Sequence, residues 1–216
     1  MIAVIDYGMG NLRSVAKALE AVGAETKVTS NAKDIGEASA IVLPGVGAFA
    51  RGIENLEKLD VLPAMFKAIG EGKPFLGICL GLQLLFTESQ EHGIYKGLDI
   101  IQGKVKRFRI QDSGFRIHDS RLKIPHMGWN TVECKMQNAK CKIFENIPDN
   151  SYFYFVHSYY VEPRDKDVVV ATTEYGTEFT SAVNKDNIWG VQFHPEKSGE
   201  LGLKILENFV KSVIRI

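Results

Sequence analysis

Short apolar runs alternate with longer amphipathic ones through the first half of the chain. Met1 to Ile5 predicts a buried strand, Asn11 to Val22 a helix, Glu25 to Thr29 a strand, and Ala40 to Leu43 another buried strand ending at Pro44. Helices are predicted over Phe49 to Leu59 and Val61 to Ile69, then a buried strand over Phe75 to Ile78 and a helix over Leu80 to Ser89. Strands interleaved with helices in this way imply an α/β fold whose central, mainly parallel sheet is flanked by helices. From about Asp99 the texture changes. Ile100 to Ile110, Trp129 to Lys135, Tyr152 to Val156, Val168 to Glu174, Phe179 to Asn184 and Ile188 to Phe193 read as strands with few helices between, an antiparallel-rich second half. Gly199 to Ile216 predicts a closing helix, with Leu203, Leu206, Val210 and Val213 (or Ile214) spaced for one apolar stripe.

Composition narrows the class. A length of 216 residues fits one domain spanning residues 1–216. Lys plus Arg number 26 and Asp plus Glu number 26, so no global field draws in nucleic acid or an anionic membrane. The N-terminus lacks a basic region and a long apolar run, and no window reaches the roughly 18 apolar residues of a membrane span, so a cytoplasmic location is expected. Cys79, Cys134 and Cys141 are odd in number and lack zinc-type spacing, which argues against disulfides and structural metal. The polar, locally basic stretch Lys104 to Lys123 predicts a surface hairpin or loop.

The sharpest chemical signal is Gly77-Ile78-Cys79-Leu80-Gly81, between an apolar strand and a helix. Small residues on either side of a nucleophile permit a tight strand-to-helix turn that lifts the side chain out of the sheet. The helix N-terminus then favours a thiolate, and the Leu80 N–H becomes available to an oxyanion. The pentapeptide alone also fits a small buried cysteine between two packing glycines. A thiol nucleophile needs a base, and His194-Pro195-Glu196 follows the strand Ile188 to Phe193, with proline biasing His194 toward extended geometry. Extended residues two apart point the same way, so His194 and Glu196 emerge together at the carboxyl end of a strand, where α/β sheets collect their ligands. The joint occurrence of elbow and His-Pro-Glu favours catalysis over packing.

Other motifs say less. Pro44-Gly45-Val46-Gly47 fits a second oxyanion donor or a plain turn. His92 and His118 lie in polar surroundings and are expected to be exposed; His157 either packs near the site or anchors a strand end. His126 is placed in a turn whose exposed Trp129 suits a protein interface. In Asp6 to Asn11, Gly8 and Gly10 are followed by Arg13 where a dinucleotide fingerprint needs a third glycine.

As a set these residues resemble the class I glutamine amidotransferases over almost the whole chain, with the G-x-C-x-G elbow and H-P-E as the shared marks. Three segments, Asp6 to Ser14, Pro125 to Asn130 and Val191 to Ser198, are similar to the glutaminase subunits of imidazole glycerol phosphate synthases. The resemblance implies a triad of Cys79, His194 and Glu196, and an oxyanion hole from Val46 or Gly47 and Leu80. It further implies glutamine contacts at Gly47, Gln83, Ser158 and Tyr159, and no metal or other cofactor. The implied partner is a (β/α)₈-barrel cyclase that uses the ammonia to form imidazole glycerol phosphate and AICAR, meeting this chain at Asn11, Trp129, Tyr154 and Lys197. Lys106 to Ile124 is longer than the connection usual in the family. The alternatives are a paralogue feeding ammonia to another acceptor, such as a sugar amidotransferase, and a non-catalytic interaction module.

Overall fold

The computed structural model describes residues 1–108, 123–135 and 139–214. Its first half alternates strands and helices: β1 (Ile2–Ile5), α1 (Leu12–Ala21), β2 (Thr26–Thr29), α2 (Ala32–Glu37), β3 (Ala40–Gly45), α3 (Phe49–Lys58), α4 (Leu62–Gly70), β4 (Phe75–Cys79) and α5 (Leu80–Leu84). The second half is strand-rich: β5 (Phe86–Ser89), β6 (Tyr95–Lys96), β7 (Ile101–Arg107), β8 (His126–Cys134), β9 (Ser151–His157), β10 (Tyr159–Pro163), β11 (Val169–Glu174), β12 (Glu178–Lys185) and β13 (Ile188–Val191), closed by α6 (Gly199–Ile214). One mixed sheet runs β2-β1-β3-β4-β13-β12-β10-β7-β5-β6, with β11, β8 and β9 branching from it. The pairs among β2, β1, β3, β4 and β13 are parallel, and those from β13 through β12, β10 and β7 antiparallel.

The inner parallel strands β1, β3, β4 and β13 are apolar throughout because both of their faces are covered, whereas the edge strand β2 is polar and partly exposed. Every residue of β1, β3, β4 and β13 is buried. On one face Val4, Val42, Ile78 and Val191 pack with Leu19 and with Leu206 and Phe209 of α6. On the other, Ile5, Ile41 and Leu43 pack with Leu56 of α3 and Met65 of α4. Asn11 caps α1 by accepting from the Ser14 amide at 3.3 Å.

Three elements depart from expectation. The helix predicted over Leu80 to Ser89 stops at Leu84, and Phe86 to Ser89 forms β5, paired parallel to β7 and antiparallel to β6. Leu80 to Phe86 are buried without a break, so no polar face marks the change from helix to strand. In α6 the buried stripe is Ile205, Leu206, Phe209 and Val210, with Leu203 and Val213 at its margin. His126 begins a strand, β8, and is 2 % exposed. Helix α2 and strand β10 carry too few periodic positions to be read from the pattern. Residues 109–122, which hold most of the polar Lys104 to Lys123 stretch and His118, lie outside the described residues, as do residues 136–138 and the side chain of Cys141.

Candidate active site

Cys79 closes β4 and opens α5 with φ 55° and ψ −105°, a left-handed backbone rare outside glycine. The flanking glycines make that turn sterically feasible. A Cβ on Gly77 would meet the backbone of Gly81 and Leu82 at 2.8 Å, and one on Gly81 would collide with the Leu43 carbonyl. Parallel pairing of β3 with β4 sets Gly45 against Cys79, which brings the Val46–Gly47 loop beside the thiol.

On the other side β13 pairs parallel with β4, and the chain leaving it places His194, 2 % exposed, in extended geometry. Pro195 to Lys197 then form a 3₁₀ turn. The local expectation is corrected here: Glu196 meets His194 because the chain curls, not because alternate extended residues share a face. His194 Nδ1 and Glu196 Oε1 are 2.8 Å apart, with side chains 3 % and 2 % exposed. Ser198 Oγ fixes the turn by donating to the His194 carbonyl at 2.6 Å and accepting from the Tyr154 amide at 3.0 Å.

His194 Nε2 is buried without a hydrogen bond of ordinary geometry. The imidazole is nevertheless coupled to Cys79: burial alone would lower its pKa, but the sulfur's charge, aided by Glu196, pushes it up to about 10. The contact with the thiol is therefore best described as electrostatic. Around the sulfur, Gln192 Nε2 lies 3.6 Å from Cys79 Sγ, and the Val156 carbonyl lies at 4.0 Å.

A cavity of about 430 Å³ opens over Cys79 and is walled by Val46, Gly47, Leu80, Gln83, Ser158 and Tyr159, all named from the sequence. His194 and Glu196 are not on its wall. Sequence reasoning missed Glu91, His92, Arg107, Pro125 and Val156, which also line it. Glu91 further accepts the Phe49 amide at 2.5 Å, a bond that ties the cavity wall to the start of α3. Gln83 Nε2 donates to the Tyr159 carbonyl at 2.9 Å and to Gln192 Oε1 at 3.0 Å.

His157, 6 % exposed, lines the cavity and joins a hydrogen-bonded chain. Its Nδ1 meets the Tyr159 carbonyl at 2.8 Å, its Nε2 meets His126 Nδ1 at 3.0 Å, and His126 Nε2 meets Asn130 Nδ2 at 3.2 Å. An amide NH₂ at one end and a carbonyl at the other fix both rings as neutral Nδ1–H tautomers. Burial pulls His126 down to about 4 and His157 to about 3.

The family model described as glutamine amidotransferase class-I matches residues 3–213. The chain belongs to that family.

Within it, the chain is 50 % identical over 211 residues to the imidazole glycerol phosphate synthase subunit HisH of Geobacter metallireducens, covering 98 % of each chain. It is 49 % identical to HisH of Methanocaldococcus jannaschii, over 98 % of this chain and 99 % of that one. The fold matches a solved glutamine amidotransferase with TM-score 0.73 at 16 % identity, covering 99 % of both chains. It also matches the solved structure of PurLQS from Thermotoga maritima with TM-score 0.67 at 20 % identity, over 99 % of this chain and 97 % of that one.

Of the four residues expected at a partner surface, this amidotransferase brings three together. Trp129, 55 % exposed, pairs with Tyr154 across β8 and β9 at 6.2 Å between ring centroids, and Lys197 Nζ sits 5.8 Å from the Tyr154 ring centre. Met127 and Tyr152 extend the exposed patch along the two strands. Asn11 is exposed at the start of α1, which packs beside the Pro195–Lys197 turn. No helix of the described residues is long and apolar enough to cross a membrane.

Proposed function

We propose that this chain is the glutaminase subunit of an imidazole glycerol phosphate synthase, acting in histidine biosynthesis as one domain over residues 1–216. The observation that carries this reading is the placement of Cys79, on its strained elbow, between the His194–Glu196 pair and a cavity of about 430 Å³ suited to an amino acid. The near-full-length likeness to HisH supports the pathway.

The Cys79 thiolate adds to the side-chain amide carbon of glutamine, and the carbonyl oxygen takes the negative charge. The Leu80 N–H and that of Val46 or Gly47 stabilise it. Protonated His194 gives its proton to the amide nitrogen, the C–N bond breaks, and ammonia leaves a γ-glutamyl thioester. Neutral His194 then takes a proton from water, whose oxygen adds to the thioester; the C–S bond breaks, leaving thiolate, imidazolium and a protonated γ-carboxyl that loses its proton to solvent as glutamate departs. Glu196 accepts the Nδ1–H of His194 throughout, which keeps Nε2 aimed at the reacting atoms.

Gln83 has both amide N–H groups engaged, so it offers substrate only its Oε1, an acceptor matched to the glutamine ammonium. Gly47, Ser158 and Tyr159 supply further glutamine contacts, and the reaction needs no metal or other cofactor. The Trp129–Tyr154–Lys197 patch, with Asn11, receives a (β/α)₈-barrel cyclase, and the ammonia passes to it shielded from water.

The test is glutamate release by this chain alone and with the cyclase and its nucleotide substrate. Strong stimulation is expected. Weak Cys79-dependent turnover that the cyclase leaves unchanged would point instead to a different ammonia acceptor.

A further inference from the structure

Gln192 is completely enclosed, between Val191 and Phe193 at the end of β13, where an apolar side chain would be the ordinary occupant. Its amide has a determined direction. The Tyr159 carbonyl can only accept, and it receives Gln83 Nε2 at 2.9 Å and His157 Nδ1 at 2.8 Å. Gln83 therefore turns its NH₂ toward Tyr159, and its second N–H reaches Gln192 at 3.0 Å. Gln192 must answer with Oε1, which leaves its Nε2 pointing away, 3.6 Å from Cys79 Sγ. Reversing Gln83 would set oxygen against oxygen at both of its contacts, and reversing Gln192 would set its NH₂ against the NH₂ of Gln83, so a backbone carbonyl two side chains away dictates that a donor faces the sulfur.

We propose that Gln192 is a catalytic residue of the glutaminase: its Nε2–H donates to the Cys79 sulfur and stabilises the anion both before attack and as it leaves the thioester. This rests on the reading of Cys79 as nucleophile. No proton is transferred through Gln192. The sulfur gives up its negative charge when the C–S bond forms and regains it when that bond breaks, so the donor assists thioester breakdown as well as the resting thiolate. Among the described residues, His194 from the chain after β13 and Tyr7 from the end of β1 are titratable groups coupled to the sulfur. Glu196 acts on His194, which in turn helps to lower His157, and Glu91, His92 and Arg107 share the cavity.

The experiment is iodoacetamide alkylation of the intact protein across pH, read by mass spectrometry on the peptide containing Cys79, for wild type, Gln192→Leu and Gln192→Glu. Gln192→Leu removes the donor and moves the alkylation midpoint up by about one pH unit. Gln192→Glu keeps the acceptor that Gln83 needs, so it retains the local network should the leucine variant fail to fold, and its added charge shifts the midpoint further. The kcat for glutamate release falls about ten-fold or more in both variants, with KM little changed. Profiles that superimpose on wild type in the folded variants overturn the proposal, whatever happens to turnover. A wild type that is alkylated at Cys79 yet releases no glutamate counts against the glutaminase reading alone, because the alkylation comparison still decides the role of Gln192.

Discussion

His194 and Glu196 share a 2.8 Å contact between Nδ1 and Oε1 inside a 3₁₀ turn, with both side chains almost wholly removed from water. At such a site the carboxylate sets both the direction of the imidazole and its affinity for a proton. Glu196→Gln keeps the shape and an acceptor but removes the charge. The pKa of His194 then falls below its value of about 10, and kcat drops about 100-fold or more. Steady-state kinetics across pH check this; unchanged kcat would remove Glu196 from the mechanism.

The buried pair His126 and His157 ties stability to pH. Their folded-state values of about 4 and about 3 lie below the ordinary histidine value near 6.5. Between those limits the unfolded chain binds more protons than the folded one, so stability falls as the pH drops from about 6.5 toward 4 and is unaffected above that window. The urea midpoint of wild type should decline across this range, and His126→Gln should flatten the decline. An equally steep decline in the variant would contradict it.

Glycines of one composition play opposite parts. Gly81→Ala drives a methyl into the Leu43 carbonyl under the elbow, and should cost about 3 kcal/mol or more. Gly36, inside α2, has nothing within 4 Å of where its Cβ would stand, and Gly36→Ala should gain about 0.5–1 kcal/mol. Thermal melts distinguish the two signs.

Trp129 is more than half exposed and meets the Tyr154 ring edge to face. Trp129→Ala should leave the stability of the isolated chain within about 1 kcal/mol, and weaken association with the cyclase by about 2 kcal/mol or more. Titration calorimetry measures the second quantity; unchanged affinity would place the docking surface elsewhere.

How much of this was legible in the sequence varied with the physics of each region. The parallel strands were readable because burial on both faces leaves apolar runs bounded by helices, as at Ala40 to Leu43 and Phe75 to Ile78. The elbow was readable because only small residues fit at Gly77 and Gly81, where a side chain would meet backbone. The boundary at Leu84 was hidden, since a helix and a strand buried on all sides share one composition.

The site was legible where the backbone imposes a residue type, and illegible where residues meet through space. His126 looked like part of a turn because its partner His157 is brought opposite it by the β8–β9 register, which no local pattern shows. Glu91 and Arg107 reach the cavity from separate segments, and no local pattern joins them to Cys79. The Gln83–Gln192 amide chain spans 109 positions and exists only once β13 and α5 are folded together.

Every step of the mechanism turns on Cys79 carrying the glutamyl group. Acid quenching during turnover with glutamine and the cyclase, followed by mass spectrometry, captures that species itself. A γ-glutamyl adduct is expected on the peptide containing Cys79, with neither adduct nor glutamate release in Cys79→Ala. Glutamate released by Cys79→Ala at the wild-type rate would contradict the assignment.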